Sequence, residues 1–107
     1  QAAQPHIKVI LCTTTCVDLE TQKAVEYGIY RSNADVAAYN EVMRKVAASE
    51  CVGVHDLHGV SVAAASEGGL GEDGVHWTDD GARALGEAVA TFLWSQNCSW
   101  SRVSASV

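Results

Sequence analysis

Short apolar runs and longer amphipathic segments alternate along the chain, in the order strand, helix, strand, helix. Residues 7–12 (IKVILC) are apolar apart from one lysine and rich in β-branched side chains, which is typical of a buried strand. Val52 and Val54 predict a second, short strand that ends at His55 and Asp56. Strands that alternate with helices favour βαβ units, so we expect an α/β fold with a parallel sheet and flanking helices.

Two segments repeat apolar residues at the three- and four-residue steps of an amphipathic helix. The first is predicted over 33–49, where Ser32 or Asn33 can cap its start. The second is predicted over 79–96, with Thr78 as its N-cap. The residues of the first helix that are predicted to face the sheet are Val36, Tyr39, Met43, Val46 and Ala47.

The remaining segments are predicted to be irregular. Residues 13–32 form a long polar stretch, and residues 57–72 a loop whose small-residue centre has room for one helical turn. Residues 98–107 (CSWSRVSASV) show no helical spacing and are predicted to be a loose tail. We therefore expect one domain over 1–97, followed by that tail.

Composition narrows the class of protein. Hydrophobic residues make up 48% of the 107 residues, which favours a globular chain over a disordered one. The net charge of −6 argues against a nucleic-acid partner, which would require a basic surface. No apolar run approaches the roughly 20 residues of a membrane span. The segment 1–6 (QAAQPH) lacks the features of a signal peptide, and both a secreted and a cytoplasmic location stay open.

Four cysteines permit two disulfides in three connectivities. Cys12 lies in the first predicted strand and Cys51 at the start of the second, so we expect both to be buried free thiols. Cys16 and Cys98 are the better candidates for pairing or for exposed thiols.

A metal site is a less favoured alternative. The available ligands are His6, His55, His58, His76, Cys12 and Cys16. No pair among them has a recognised zinc spacing. We therefore expect no metal and no other cofactor.

The strongest chemical signal is a D-x-x-H pattern formed by Asp73 and His76 in a glycine-rich segment. A histidine base works best when a carboxylate accepts its second ring N–H, which fixes the tautomer and stabilises the imidazolium. The glycines at 68–71 and Gly74 permit a tight, irregular backbone, and Thr78 starts a helix directly afterwards. The two residues are thus spaced for the acid and base of a hydrolase triad.

The segment 73–93 (DGVHWTDDGARALGEAVATFL) resembles the C-terminal block of the SGNH, or GDSL-like, esterase and lipase family, in which D-x-x-H precedes a helix that begins near Thr-x-x-Gly. Upstream, 7–16 (IKVILCTTTC) is similar to the family's central strand and exit loop. Residues 33–49, with "YNE" in the middle, are similar to its next helix, and 51–57 to its next strand. The resemblance covers most of residues 7–97.

This resemblance implies a flavodoxin-like three-layer sandwich and a serine ester hydrolase acting on a small-molecule ester. His76 would be the base, Asp73 would orient it, and Trp77 would wall the pocket. Residues that would touch the acyl or alcohol group are Val17, Tyr27 and Tyr30. No cofactor is implied.

Three blocks of that family are absent from these 107 residues: the Gly-Asp-Ser that carries the nucleophile, the oxyanion-hole glycine, and the Gly-x-Asn-Asp. We therefore expect the C-terminal half of such a domain, inactive as an isolated chain. The alternative is a catalytically inactive fragment or interaction module, which needs a partner chain or a second copy to complete its sheet.

Overall fold

The structure, a computed structural model, describes residues 7–26 and 30–106, with side chains up to Gln96. It is mixed α/β, with 60% of residues helical. In chain order the elements are β1 (Ile10–Cys12), α1 (Leu19–Ala24), α2 (Asn33–Glu50), β2 (Gly53–His55), α3 (Leu57–Ser66) and α4 (Asp79–Ser106).

The two strands form a parallel pair joined by the crossover through α2. The register places Ile10 opposite Gly53, Leu11 opposite Val54, and Cys12 opposite His55. The predicted parallel strands with intervening helix are confirmed, although β1 is shorter than the apolar run in which it lies. Because parallel strands end at the same edge, the segments that follow Cys12 and His55 start close together.

Helix α2 begins where the sequence predicted and ends one residue later. The Ser32 hydroxyl accepts the Asp35 N–H at 3.2 Å, and Cys51 closes the helix in the left-handed region at φ 56°. Val36 and Ala47, which were predicted to face the sheet, are both buried.

Two members of the predicted inner face of α2 are in fact exposed. Tyr39 is 69% exposed and Val46 is 49% exposed. The centre of the inner face is instead Asn40, which is 2% exposed and uses its amide to bind the backbone of Thr14. The buried face of α2 therefore runs through Val36, Asn40 and Ala47. A pattern of apolar residues alone cannot locate a face that has a polar residue at its centre.

Two short helices lie in segments that were predicted to be loops. In α1, the Asp18 carboxylate accepts the N–H groups of Glu20 and Thr21, which caps the first turn. In α3, the Asp56 carboxylate caps the helix by accepting the Gly59 N–H at 3.4 Å. Asp56 also accepts the Thr13 hydroxyl at 3.1 Å, so tertiary contacts help to fix this cap.

Helix α4 starts as predicted but extends further. Thr78 caps it, since its hydroxyl accepts the Gly81 N–H at 3.1 Å. The prediction of a loose tail over 98–107 is wrong in its secondary structure, because the helix continues to Ser106. After Gly86 the sequence has neither glycine nor proline to stop it, and extending an existing helix avoids the cost of nucleating a new one. Among the described residues, no helix is long and apolar enough to cross a membrane.

The cysteine predictions are partly wrong. Cys12 and Cys51 are free but exposed, whereas Cys16 is free and buried. Cys12 has an open side because, among the described residues, β1 has a strand partner on one edge only. The side chain of Cys98 lies outside the described residues.

Candidate active site

The D-x-x-H loop, residues 68–78, is closed by its own backbone. Leu70 and Trp77 form an isolated antiparallel bridge. Between them, the Gly71 N–H donates to the His76 carbonyl at 2.6 Å, and the Gly74 N–H donates to the Gly71 carbonyl at 3.1 Å. The loop therefore folds back on itself and presents its tip, residues 72–76.

Asp73 is fixed at this tip by the residues that follow it. One carboxylate oxygen accepts the backbone N–H groups of Val75 and His76 at 2.9 and 2.8 Å. The other oxygen contacts His76 Nδ1. The side-chain hydrogen bond from His76 is the main cause that lowers the Asp73 pKa to about 2, and the two backbone hydrogen bonds add to it. Asp73 is therefore ionised at neutral pH.

This geometry fixes the role that the imidazole can play. With Nδ1 as the donor to Asp73, the tautomer leaves Nε2 as the nitrogen that can accept a proton. The His76 side chain is 74% exposed, whereas that of Asp73 is 28% exposed. The contact that the spacing predicted between the two side chains is present, and their catalytic role stays a prediction.

The loop is docked on the segment that follows β1. The Asp18 N–H donates to the Gly74 carbonyl at 2.9 Å. Gly74 has φ +73°, and a Cβ at this position would lie 2.5 Å from the Asp18 carbonyl oxygen and 3.1 Å from Thr21 Cβ. Both the backbone conformation and the close approach require glycine here.

Three side-chain amides hold the segment on which the loop is docked. Each binds both the N–H and the C=O of one backbone residue. Asn40 binds Thr14 at 2.7 and 3.0 Å, and Asn33 binds Val17 at 2.9 and 2.8 Å. The third amide, that of Gln22, binds the backbone of Arg31 at 2.8 Å in both directions.

These residues were not predicted as part of the site. Asn33 was considered only as a helix cap, together with Ser32. Ser32 takes the cap, which leaves the Asn33 amide to bind Val17. The sequence did contain a signal for this contact. Ser32 and Asn33 are adjacent and only one side chain is needed to cap the helix, so the other is available for a tertiary hydrogen bond.

The other predicted site residues lie in different surroundings. Val17 is buried at 8% exposure beside the docking residue Asp18, and Tyr30 is 47% exposed. Trp77 is half-buried and packs toward the start of α4, since its Cε3 would lie 2.9 Å from a Cβ at Gly81. Tyr27 lies outside the described residues.

A cleft of about 510 Å³ opens beside Val17. Its apolar wall includes Val62, Ala65 and Leu70, the last of which belongs to the D-x-x-H loop. The polar residues that line it are Asp18, Asn33, His58 and Ser66. The cleft thus has the mixed character of a site for a small organic molecule, with one wall continuous with the loop.

In the part of the chain whose side chains are described, no three His, Cys, Asp or Glu residues come together to hold a metal ion. His6, one of the candidate ligands, lies outside that part.

Comparison with protein-family models, with curated proteins and with solved structures finds no match to this chain. The D-x-x-H loop therefore has to be interpreted from its own residues and geometry.

Proposed function

We propose that this chain carries the acid and base of an SGNH-type serine ester hydrolase. The observation that supports this most directly is the contact of the Asp73 carboxylate with His76 Nδ1. Two backbone N–H groups hold the same carboxylate, so its orientation is set before any substrate arrives. An oriented carboxylate–imidazole pair on an exposed loop suits general-base catalysis better than it suits a structural role.

In the proposed reaction, His76 accepts the proton of a serine hydroxyl through Nε2 as the serine attacks the ester carbonyl. Asp73 stays ionised and stabilises the imidazolium that forms. The imidazolium then returns the proton to the leaving alcohol, and an acyl-enzyme remains. Water releases the acid by the same route, with His76 again acting as base.

The cleft beside Val17 is the proposed site for the acyl or alcohol group. Its apolar wall of Val62, Ala65 and Leu70 suits an uncharged aliphatic or small aromatic group. Asp18 at the same cleft would disfavour an anionic substituent. The proposed substrate is therefore a neutral small-molecule ester.

The nucleophile and oxyanion donors are proposed to come from residues outside these 107, because the sequence contains no Gly-Asp-Ser and no Gly-x-Asn-Asp. By itself the chain should hydrolyse p-nitrophenyl acetate no faster than the buffer. Clear hydrolysis by the isolated chain that is lost in His76→Ala would contradict this division of the site.

The decisive experiment is to express the chain together with the coding region that precedes Gln1 and to assay ester hydrolysis. His76→Ala and Asp73→Asn should each lower kcat by several orders of magnitude, on the order of 10⁴ for a triad member. Asp80→Asn is the matched control, since its side chain is 93% exposed in the first turn of α4. Equal activity of the Asp73 and Asp80 variants would overturn the proposal.

A measurement on the isolated chain tests the same pair without a nucleophile. In ¹⁵N NMR spectra, neutral His76 should show the tautomer that carries hydrogen on Nδ1, and Asp73→Asn should reduce that preference. A mixture of tautomers that Asp73→Asn leaves unchanged would argue against an orienting role.

A second candidate function is a module that binds a strand of a partner chain. It is favoured by the edge of β1 that does not face β2. The Val9 carbonyl and the Thr13 N–H both bond to β2, so the alternate residues Ile10 and Cys12 direct their backbone groups to the other edge. Parallel strands are ordinarily covered on both faces, yet Cys12 in β1 is exposed, and Ile7 and Val9, which precede β1, are 46% and 36% exposed.

Hydrogen exchange separates the two candidates. A partner strand that adds to β1 would protect the amides of Ile10 and Cys12 when the partner is present. Protection without any gain in ester hydrolysis would favour the binding module, and protection together with hydrolysis would favour the completed enzyme.

A further inference from the structure

A second pair of reactive side chains lies at the carboxyl ends of the two strands. Cys12 and His55 are paired in the register of the sheet, which directs their side chains to the same face. Cys12 Sγ lies 3.9 Å from His55 Nδ1. A thiol and an imidazole within reach of each other are the components of an activated sulfur nucleophile.

His55 is held in place and directed at the sulfur. It is only 8% exposed, and its ring is stacked on Phe92 with a centroid distance of 4.4 Å and an interplanar angle of 20°. Among the described residues, Cys12 Sγ is the only hydrogen-bonding partner of the ring. Within the described part of the chain, the one hydrogen-bonding contact of this buried imidazole is therefore an exposed thiol.

The remaining described cysteines differ from Cys12 in ways that make them internal controls. Cys51 is also exposed, at the end of α2, and none of the described histidines, His55, His58 and His76, is hydrogen-bonded to it. Cys16 is buried, and its backbone N–H donates to the Ser61 hydroxyl at 2.9 Å. The described residues thus include an accessible thiol with a base, an accessible thiol for which no base is seen among them, and a protected thiol.

We propose that Cys12 and His55 form a thiol–imidazole pair that makes Cys12 a site of covalent modification by small-molecule disulfides. The Cys12 proton moves to His55 Nδ1, and the sulfur attacks one sulfur of the disulfide. A new S–S bond forms as the old one breaks, and the leaving thiolate takes up the proton from the imidazolium. One thiol and one disulfide give one mixed disulfide and one thiol, so no further oxidant is needed.

The test uses the whole chain and bis(2-hydroxyethyl) disulfide, a neutral probe that the net charge of −6 neither attracts nor repels. Samples are quenched with acid at intervals, and peptide mass spectrometry gives a rate for each cysteine. At neutral pH, Cys12 should react at least about tenfold faster than Cys51, since a positioned base contributes at least that much. Equal rates for the two thiols in the unaltered chain would overturn the proposal.

His55→Gln should reduce the Cys12 rate to that of Cys51 and leave the Cys51 rate unchanged. Cys16 reports on folding, because it stays protected only while the chain remains packed. An unchanged Cys12 rate in a variant that still protects Cys16 would count against the role of His55.

If His55→Gln exposes Cys16, two further measurements replace that variant. Phe92→Leu keeps the imidazole but removes the ring that orients it, so it should lower the Cys12 rate selectively. In the unaltered chain, blocking Cys12 with the probe should shift the ¹⁵N signal of His55 Nδ1 and leave that of His58 in place. A Cys12 rate that Phe92→Leu leaves unchanged, or an unshifted His55 signal, would contradict the pairing.

The proposal does not depend on the esterase assignment, because the pair shares no residue with the D-x-x-H loop. His76→Ala should therefore leave the Cys12 rate unchanged. A large fall in that variant would show that Cys12 depends on a different base.

Discussion

Replacing Gly74 by alanine should destabilise the chain more than the same change at Gly68, and the difference measures the docking of the D-x-x-H loop. Both glycines have positive φ, +73° at Gly74 and +82° at Gly68. An alanine in this region costs about 1 kcal/mol at either position. A Cβ at Gly68 meets nothing within 4 Å, so the conformational cost is all that Gly68→Ala should lose.

At Gly74 the new methyl group also meets the neighbouring segment. It would lie 2.5 Å from the Asp18 carbonyl oxygen, 3.1 Å from Thr21 Cβ and 3.3 Å from the Gln22 backbone nitrogen. All three of these neighbours are backbone or Cβ atoms, which cannot rotate away. Overpacking of this kind costs about 1–3 kcal/mol, so Gly74→Ala should lose about 2–4 kcal/mol in total.

Urea unfolding followed by circular dichroism gives both free energies of unfolding under the same conditions. The expected difference between the variants is at least about 1 kcal/mol, well above the error of a comparison of midpoints. Equal losses at Gly68 and Gly74 would refute the close approach of the two segments. If the loop instead shifts to relieve the clash, the Asp73 pKa should rise in Gly74→Ala and stay low in Gly68→Ala.

Three further outcomes follow from single positions. Gly86→Ala should raise the free energy of unfolding by about 0.5–1 kcal/mol, because glycine weakens a helix interior and the new Cβ would lie in open space. Gly81→Ala should lower the free energy of unfolding, because a Cβ there would lie 2.9 Å from Trp77 Cε3. Urea midpoints compare the two, and the same sign for both would contradict this packing. Cys51→Gly should stabilise α2, whereas Cys51→Ala should not, because φ 56° suits glycine at a helix end; thermal melting of both variants checks this. Asp73 has a pKa of about 2 in place of 3.8, so its contribution to stability is complete above about pH 4 and is lost as the pH falls toward 2. A titration followed by carboxyl ¹³C NMR should give a midpoint near pH 2 for Asp73, and His76→Asn should raise that midpoint.

Local signals in the sequence predicted the main elements well. The caps at Ser32 and Thr78 both hold the helices that were expected from them. The proximity of Asp73 and His76 was also predictable, since residues three apart in a tight loop have few ways to avoid each other. These features depend on neighbours in the sequence, which is why a single sequence suffices to find them.

The errors arise where a residue's partner is distant in the sequence. The length of helix α3 was underestimated, since its segment was predicted to be a loop with room for one helical turn. Its cap, Asp56, is held by Thr13 and also lies 3.5 Å from Arg44, and neither contact is visible in the local sequence. Cys12 was expected to be buried because a run such as 7–12 is usually central in a sheet. Its exposure follows from the single strand, β2, that lies beside β1 in the described part of the chain, and its own segment does not encode that number.

The polar character of the interior explains why the sequence predicted the Asp73–His76 pair but not the residues that hold its loop. Among the residues whose side chains are described, the four largest fully buried ones are Gln22, Asn40, Thr13 and Ser61, all of which are polar. No buried side-chain N or O atom among the described residues lacks a hydrogen-bond partner. Buried polar groups are stable only when they are paired, so each of these side chains specifies a position of the backbone that a purely apolar contact would leave loose.

These polar contacts connect α2 to the proposed acid–base pair. Asn33 on α2 holds Val17, the next residue Asp18 donates to Gly74, and Gly74 follows Asp73 in the loop. The position of the carboxylate that orients His76 is thus set by hydrogen bonds that begin about 40 residues earlier in the sequence. These bonds involve loop and helix residues and not the ladder between β1 and β2, so the geometry of the Asp73–His76 pair does not depend on any further strand.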